Sequence, residues 1–241
     1  MLFLQTLWEG IVNGSIYAMI AMGIALVWGV MGILSFSQGE FMMLGMFITF
    51  YANTYLGLDP VVCVPIVGLL MFGFGCVVYR TIIAKALRGP RLSQRLITFA
   101  VGMVLTYGAL MLFGGQYRTV EGGLTISRQK LVPLIIALVM VAFMYIFLNK
   151  TMIGKAIQAT SQDKQAAELV GIDSETTYMV AFGLSSALAG IAGCAITYYF
   201  PVYYTAGAAF LLFGFIAVLL GGVGSTFGAL VGRPIIGGPK S

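Results

Sequence analysis

Histidine is absent from the 241 residues and charged side chains are scarce, at 9% of the chain, where an ordinary soluble domain carries roughly 25%. Cys63, Cys76 and Cys194 lie in separate apolar runs with no Cys-x-x-Cys spacing. With no histidine to complete a donor set, they read as small buried hydrophobes, and no metal is expected. The chain has neither a pair of acids nor a serine beside a base, so an enzyme is not expected. It also lacks the glycine-rich Lys-Ser/Thr phosphate loop, so any ATP chemistry must belong to another subunit, and no cofactor is expected. The glycines follow no three-residue period, which excludes a collagenous chain. The opening MLFLQTLWEG has no basic n-region and no small-residue cleavage signature, and is expected to be retained.

What the chain has instead is apolar: 60% hydrophobic residues, with 32 glycines and 14 methionines. Glycine is frequent in membrane helices because it lets their backbones approach closely. Charges divide the sequence into uncharged runs at 10–39, 41–58, 60–79, 96–117 and 131–149. Each can hold one helix of the roughly 20 residues a bilayer requires. The run 176–232 is too long for one span and is interrupted at Phe200-Pro201, so two are expected there. The expected fold is all-α: a polytopic transmembrane helix bundle of about seven membrane segments, forming a single domain over 1–241.

Lys and Arg in short loops set orientation. The loop 80–95 carries Arg80, Lys85, Arg88, Arg91 and Arg95 with no acid, which assigns it to the cytoplasm. By parity 150–177 is cytoplasmic, while the loop 116–130 and the N-terminus lie outside. The net charge of +5 does not point to nucleic acid. The cations sit at the ends of apolar runs, where they fix topology and meet anionic membrane lipid.

KTMIGKAIQATSQDKQAAELVGIDSETT (150–177) is the one long hydrophilic stretch. Residues 151–170 are rich in helix formers and free of proline, and Gly171 stands where a helix C-terminus would place it. One cytoplasmic helix is expected, with a modest apolar stripe of Met152, Ile153, Ala156, Ile157 and Thr160. Such a helix lies along the membrane or docks into a groove of a soluble partner.

QAAELVG (165–171) resembles the Glu-Ala-Ala…Gly coupling motif of bacterial ABC-importer permeases, with Gln165 in the usual Glu position. NGSIYAMIAMGIALVWGVMGILSFSQGEFMMLG (13–45), GKAIQATSQDKQAAELVGID (154–173) and LLGGVGSTFGALVG (219–232) are together similar to the branched-chain amino-acid permease family, over almost the whole chain. The resemblance implies a bacterial inner-membrane subunit that pairs with a second permease, two cytosolic ATPases and a periplasmic binding protein. It also implies that Lys155, Gln165, Ala166, Ala167, Glu168 and Gly171 belong to the ATPase-coupling segment. Two departures stand out. Ser35-Phe36-Ser37 replaces the family's usual Asn-Phe-Ala, and GALVG is followed by RPIIGGPKS, too short and proline-rich to cross a bilayer, so the C-terminus is expected to be shortened or diverged.

SFSQGE (35–40) puts Ser35, Phe36, Gln38, Gly39 and Glu40 between two apolar runs without a proper polar loop. Irregular backbone at membrane depth survives only where it lines a cavity or is buried in protein. Glu40 either marks the cytoplasmic end of the first span or faces a substrate pathway; the resemblance favours the pathway. Asn13 and Ser15 either bond across helices or touch a zwitterionic substrate, and Tyr17 suits an interfacial anchor. The glycines of LLGGVGSTFG, Gly221 and Gly222 among them, are expected to bend or break the last apolar segment, where a half-helix end would line the route. Small residues at four-residue spacing (Ala21, Ala25, Gly29; Ser185, Ala189, Gly193; Ser186, Gly190, Cys194) suit close helix packing. TYYFPVYYT (197–205) suits an outer aromatic turn.

The expected function is that of the permease subunit of an ATP-driven importer for a small, branched-chain amino acid. Relatives for urea, short amides or other amino acids are the alternative. An ion-coupled carrier would place several ionisable residues within its spans, and only Glu40 qualifies. A cysteine placed at Gln165 should react with a membrane-impermeant maleimide only after the cytoplasmic face of the membrane is opened; reaction from the outer face of intact cells would reverse the topology.

Overall fold

The computed structural model of the chain describes residues 2–87, 89–119 and 126–221. They form α1 (Leu2–Met31), α2 (Gln38–Leu56), α3 (Pro60–Val78), a π-helical turn (Tyr79–Ile83) running into α4 (Ala84–Ala86), α5 (Arg91–Phe113), α6 (Ile126–Lys150), α7 (Met152–Gln162), α8 (Lys164–Leu169), α9 (Ser174–Ile196) and α10 (Ala206–Gly221). The only β-type pairing among them is an isolated antiparallel bridge between Arg118 and Val202.

Among the described residues, five helical stretches are long and apolar enough to cross a membrane: Gly10–Met31, Pro60–Ala86, Leu92–Phe113, Leu131–Lys150 and Ser174–Ile196. The other two of the expected seven are helices of the same bundle that fall short. In α2, Gln38, Glu40 and Asn53 lower the hydropathy, and the 16 described residues of α10 are shorter than a span needs.

The centre of the bundle is α9, whose inner window is 83% buried and which packs on α1, α2 and α3. Small residues make this possible. A Cβ on Gly45 would strike the backbone of Gly190, and one on Gly193 would strike the carbonyl of Met42. Ser185 Oγ donates to the Gly23 carbonyl at 2.6 Å, and Cys194 Sγ lies 3.2 Å from the Pro60 carbonyl. The α1 stripe is used in part: Ala21 is buried, whereas Gly29 faces open space.

The two polar segments meet at one end of the bundle, where Tyr79 and Leu87 share a cavity of about 560 Å³ with Lys164, Glu168 and residues 171–175. At the opposite end Arg118 and Val202 exchange backbone hydrogen bonds of 3.0 and 2.7 Å. Arg118 also donates to the Tyr51 hydroxyl at 2.6 Å and lies 5.4 Å from the Phe50 and Tyr51 ring centres, tying the turn after α9 to α2.

Three local expectations change. The helix expected over 151–170 is two, α7 and α8, because Asp163 adopts an extended conformation and caps the second. The stripe on α7 is also divided: Ile157 and Thr160 are buried, while Met152 and Ile153 are exposed. Finally, the break between α1 and α2 comes earlier than SFSQGE. Gly32, at φ +67°, ends α1 by donating to the Trp28 carbonyl at 2.9 Å, and Gln38, Gly39 and Glu40 already belong to α2.

Gly193→Ala should destabilise the solubilised protein by about 3 kcal/mol, because the added methyl meets the Met42 carbonyl rather than a side chain that can move. Gly29→Ala, with open space around it, should leave the thermal transition in detergent unchanged.

Candidate functional site

A cleft of about 340 Å³ opens between α2, α5 and α10, lined by Phe36, Glu40, Phe99, Gly102, Met103, Thr106, Tyr107, Tyr204, Thr205, Ala208 and Leu211. Backbone proximity builds it. Gly39 and Gly207 face each other so closely that a Cβ on either would strike the other's backbone, which brings α10 against the first turn of α2. A Cβ on Gly102 would lie 3.5 Å from Glu40 Cγ, and one on Gly207 2.9 Å from Glu40 Oε2. Glu40 is thereby held between α5 and α10, level with the middle of α5.

Only 7% of Glu40 is exposed, and its Oε2 has no hydrogen-bond partner among the described residues. The Thr106 hydroxyl has the choice of the Glu40 carboxyl or the Gly102 carbonyl, 3.0 Å away. Among the described residues, no Lys or Arg lines the cleft. Unpaired anions avoid such surroundings unless something compensates them. Gln38 is 1% exposed, with both side-chain polar atoms unpartnered among the described residues, but it is not part of the lining.

The non-helical stretch 32–37 is pinned by Thr98 of α5. Its hydroxyl stands 3.4 Å from the Phe36 amide and 3.3 Å from the Leu34 carbonyl. Ser35 and Ser37 are buried and share a 3.1 Å hydroxyl contact. Phe36 packs against Phe215 of α10, with ring centres 5.3 Å apart, and edge-on against Phe99 at 6.4 Å.

The other pathway candidates lie elsewhere. Asn13 accepts a hydrogen bond from the Tyr199 hydroxyl at 2.8 Å, Ser15 donates to the Val12 carbonyl of its own helix, and Tyr17 stacks on Phe213 at 5.0 Å. None of the three lines the cleft. Gly221 is the last residue of α10, and Gly222, with the expected glycine bend and the altered C-terminus, lies outside the described residues.

At the polar end, α7 is seated on the bundle. Gly154 approaches Phe147 and Leu148 so closely that a Cβ would collide with their backbone, and Gln158 Nε2 donates to the Leu148 carbonyl at 3.0 Å. Ile157 packs in a cluster with Met144 and Leu148 of α6, Met22, Leu26 and Val30 of α1, and Ala181 of α9. Asp163 then caps α8 by accepting from the amides of Gln165 and Ala166 at 2.9 and 3.1 Å. Gly171, at φ +87°, closes α8 by donating to the Glu168 carbonyl at 3.0 Å. Ala167 is buried, while Lys155, Gln165, Ala166 and Glu168 are exposed. Lys164 and Glu168 pair at 3.7 Å. Leu169 and Val170, apolar residues at the tip, are 89% and 77% exposed. The Thr176 hydroxyl and the Glu175 amide stabilise the Asp173 carboxylate and hold it below the usual carboxylate range.

Thr98 and Arg118 were not singled out by sequence, and each finds its partners far along the chain, Thr98 at Leu34 and Phe36 and Arg118 at Tyr51 and Val202; Tyr204 and Thr205 lie in the aromatic stretch 197–205, and folding adds them to the cleft lining. Leu169 and Val170 did carry a visible signal, as an apolar pair inside the polar island.

Residues 6–241 match the family model described as branched-chain amino acid transport system / permease component. The chain belongs to this family. It is similar to the high-affinity branched-chain amino acid transport system permease protein BraD of Pseudomonas aeruginosa, 29% identical with 98% of this chain and 84% of that protein covered. The LivH permease protein of Escherichia coli K12 matches at the same 29% identity and the same coverages. The LivM permease protein of that strain is 26% identical, over 90% of this chain and 58% of LivM. No solved structure matches. As a permease component the chain is a membrane transport protein and not an enzyme.

Asp163→Ala should weaken α8 by about 1 kcal/mol. Hydrogen exchange should speed up at the Gln165 and Ala166 amides and stay unchanged at Glu175, which has its own cap in Asp173. That second cap is present at neutral pH and through the ordinary carboxylate pKa of about 3.9, and is lost only as pH falls through the lowered native value.

Proposed function

We propose that this permease component is the membrane part of an ATP-driven importer for branched-chain amino acids in a bacterial inner membrane. It works beside a second permease subunit, with two cytosolic ATPases docked on α7 and α8 and a periplasmic binding protein delivering substrate. The observation that carries the ATPase assignment is the pair Leu169–Val170. Two large apolar side chains stand in water on a helix capped at both ends and seated by Ala167, as an apolar knob awaiting a groove.

Lys155, Gln165, Ala166, Glu168 and Gly171 belong with that knob to the docking segment in this reading, and the Glu40 cleft is the substrate route. The packing supplies a path between them. A push on α7 bears through Ile157 on Val30 and Leu26 of α1. Next along the chain are the Gly32 bend and Phe36, which is itself a wall of the cleft. ATP binding would close the ATPase pair, and the hinge at 32–37 would turn that motion into opening or closing of the cleft.

Leu169→Asp combined with Val170→Asp should reduce ATPase co-purification at least about tenfold, since burying each such side chain contributes about 1.5–3 kcal/mol. The membrane helices should keep their thermal transition. Undiminished ATPase association and amino-acid uptake would refute the docking assignment.

A further inference from the structure

We propose that Glu40 holds the α-ammonium group of the transported amino acid, so that the cleft selects a primary ammonium over a neutral amide of the same shape. This rests on the Glu40 cleft being the substrate route.

The cleft volume of about 340 Å³ is at the small end of the roughly 300–1,000 Å³ typical of ligand cavities. Among the described residues its lining combines one acid, no base and a set of apolar walls. No ion pair joins Glu40 to another described residue, and Oε2 is left without a hydrogen bond. Glu40 stands in the first turn of α2, where the helix dipole suits an anion, and a bound cation would supply the countercharge that the described lining lacks. A cation entering the cleft gains a charge-assisted hydrogen bond to the free oxygen. Urea or a short amide brings no charge and leaves the carboxylate unpaired. With the ammonium on Glu40, Phe36, Phe99 and Leu211 surround the apolar side chain, and the Thr205 hydroxyl remains for the α-carboxylate. Glu40 is thus the residue by which this cleft tells a primary ammonium from a neutral amide.

The test compares leucinamide with 4-methylpentanamide, which differ only in the ammonium, by equilibrium binding to the assembled complex in nanodiscs without any binding protein. The wild type should prefer leucinamide at least tenfold. Glu40→Gln should bring the two within about twofold of each other, and Glu40→Asp should keep part of the preference. A preference that survives Glu40→Gln, or wild-type protein that binds leucinamide no better than the amide, overturns the assignment. A second variant separates this failure from that of the route itself. Ala208 lines the cleft and is exposed, so Ala208→Trp fills it and should stop leucine uptake without loss of assembly. If uptake continues, the route and the ammonium site fall together; if uptake stops while the preference survives Glu40→Gln, only the ammonium site falls.

Discussion

Close approach of backbones at glycine is the constraint on which the rest of this structure depends. Lipid tails are as apolar as leucine, so helices in a bilayer gain little from hiding greasy side chains from one another and associate through packing instead. Here the packing is backbone on backbone. Gly45 meets Gly190, Gly193 meets Met42, and Gly39 meets Gly207. The first two contacts draw α2 onto α9, and the third draws α10 onto the start of α2. The Glu40 cleft exists because that third contact brings α10 within reach of a helix that begins inside the bundle.

Beginning a helix inside the bundle leaves backbone groups to be satisfied. Residues 32–37 make neither a helix nor a sheet, and Ile33, Ser35 and Ser37 among them are buried in protein. The Thr98 hydroxyl and the Ser35–Ser37 pair supply part of what is missing. These are few bonds compared with a helical ladder, so the segment is softer than a helix of the same length would be. In the proposed function that softness has a use: α7 is fastened to α1 by tight apolar packing, and the same α1 ends at the Gly32 bend.

The polar island illustrates how far local sequence carries. Helix-forming composition and Gly171 located the segment and its end. The interruption at Asp163 was legible only in hindsight, since an aspartate mid-segment is compatible with either a helix interior or a cap. What decided between them was Gly154 and Ile157 anchoring α7 to α6 and α1, which leaves α8 free to start anew in its own direction. Likewise Asn13 suited either a bond across helices or a substrate contact and Tyr17 an interfacial anchor, and their partners in the fold, Tyr199 and Phe213, lie about two hundred positions away.

By itself the sequence determined the class: hydropathy sets which segments can leave water, and scarce charge places the loops. It also marked Glu40 as costly and therefore in need of a reason. Only the tertiary structure decided which five helices are long and apolar enough to cross, where α1 stops, and that Glu40 looks into a cleft with Thr106 and Thr205 while Asn13 does not. The physical reason is that hydropathy and helix propensity are properties of neighbours along the chain. A cleft is a property of which backbones touch, and glycines far apart in sequence decide that together.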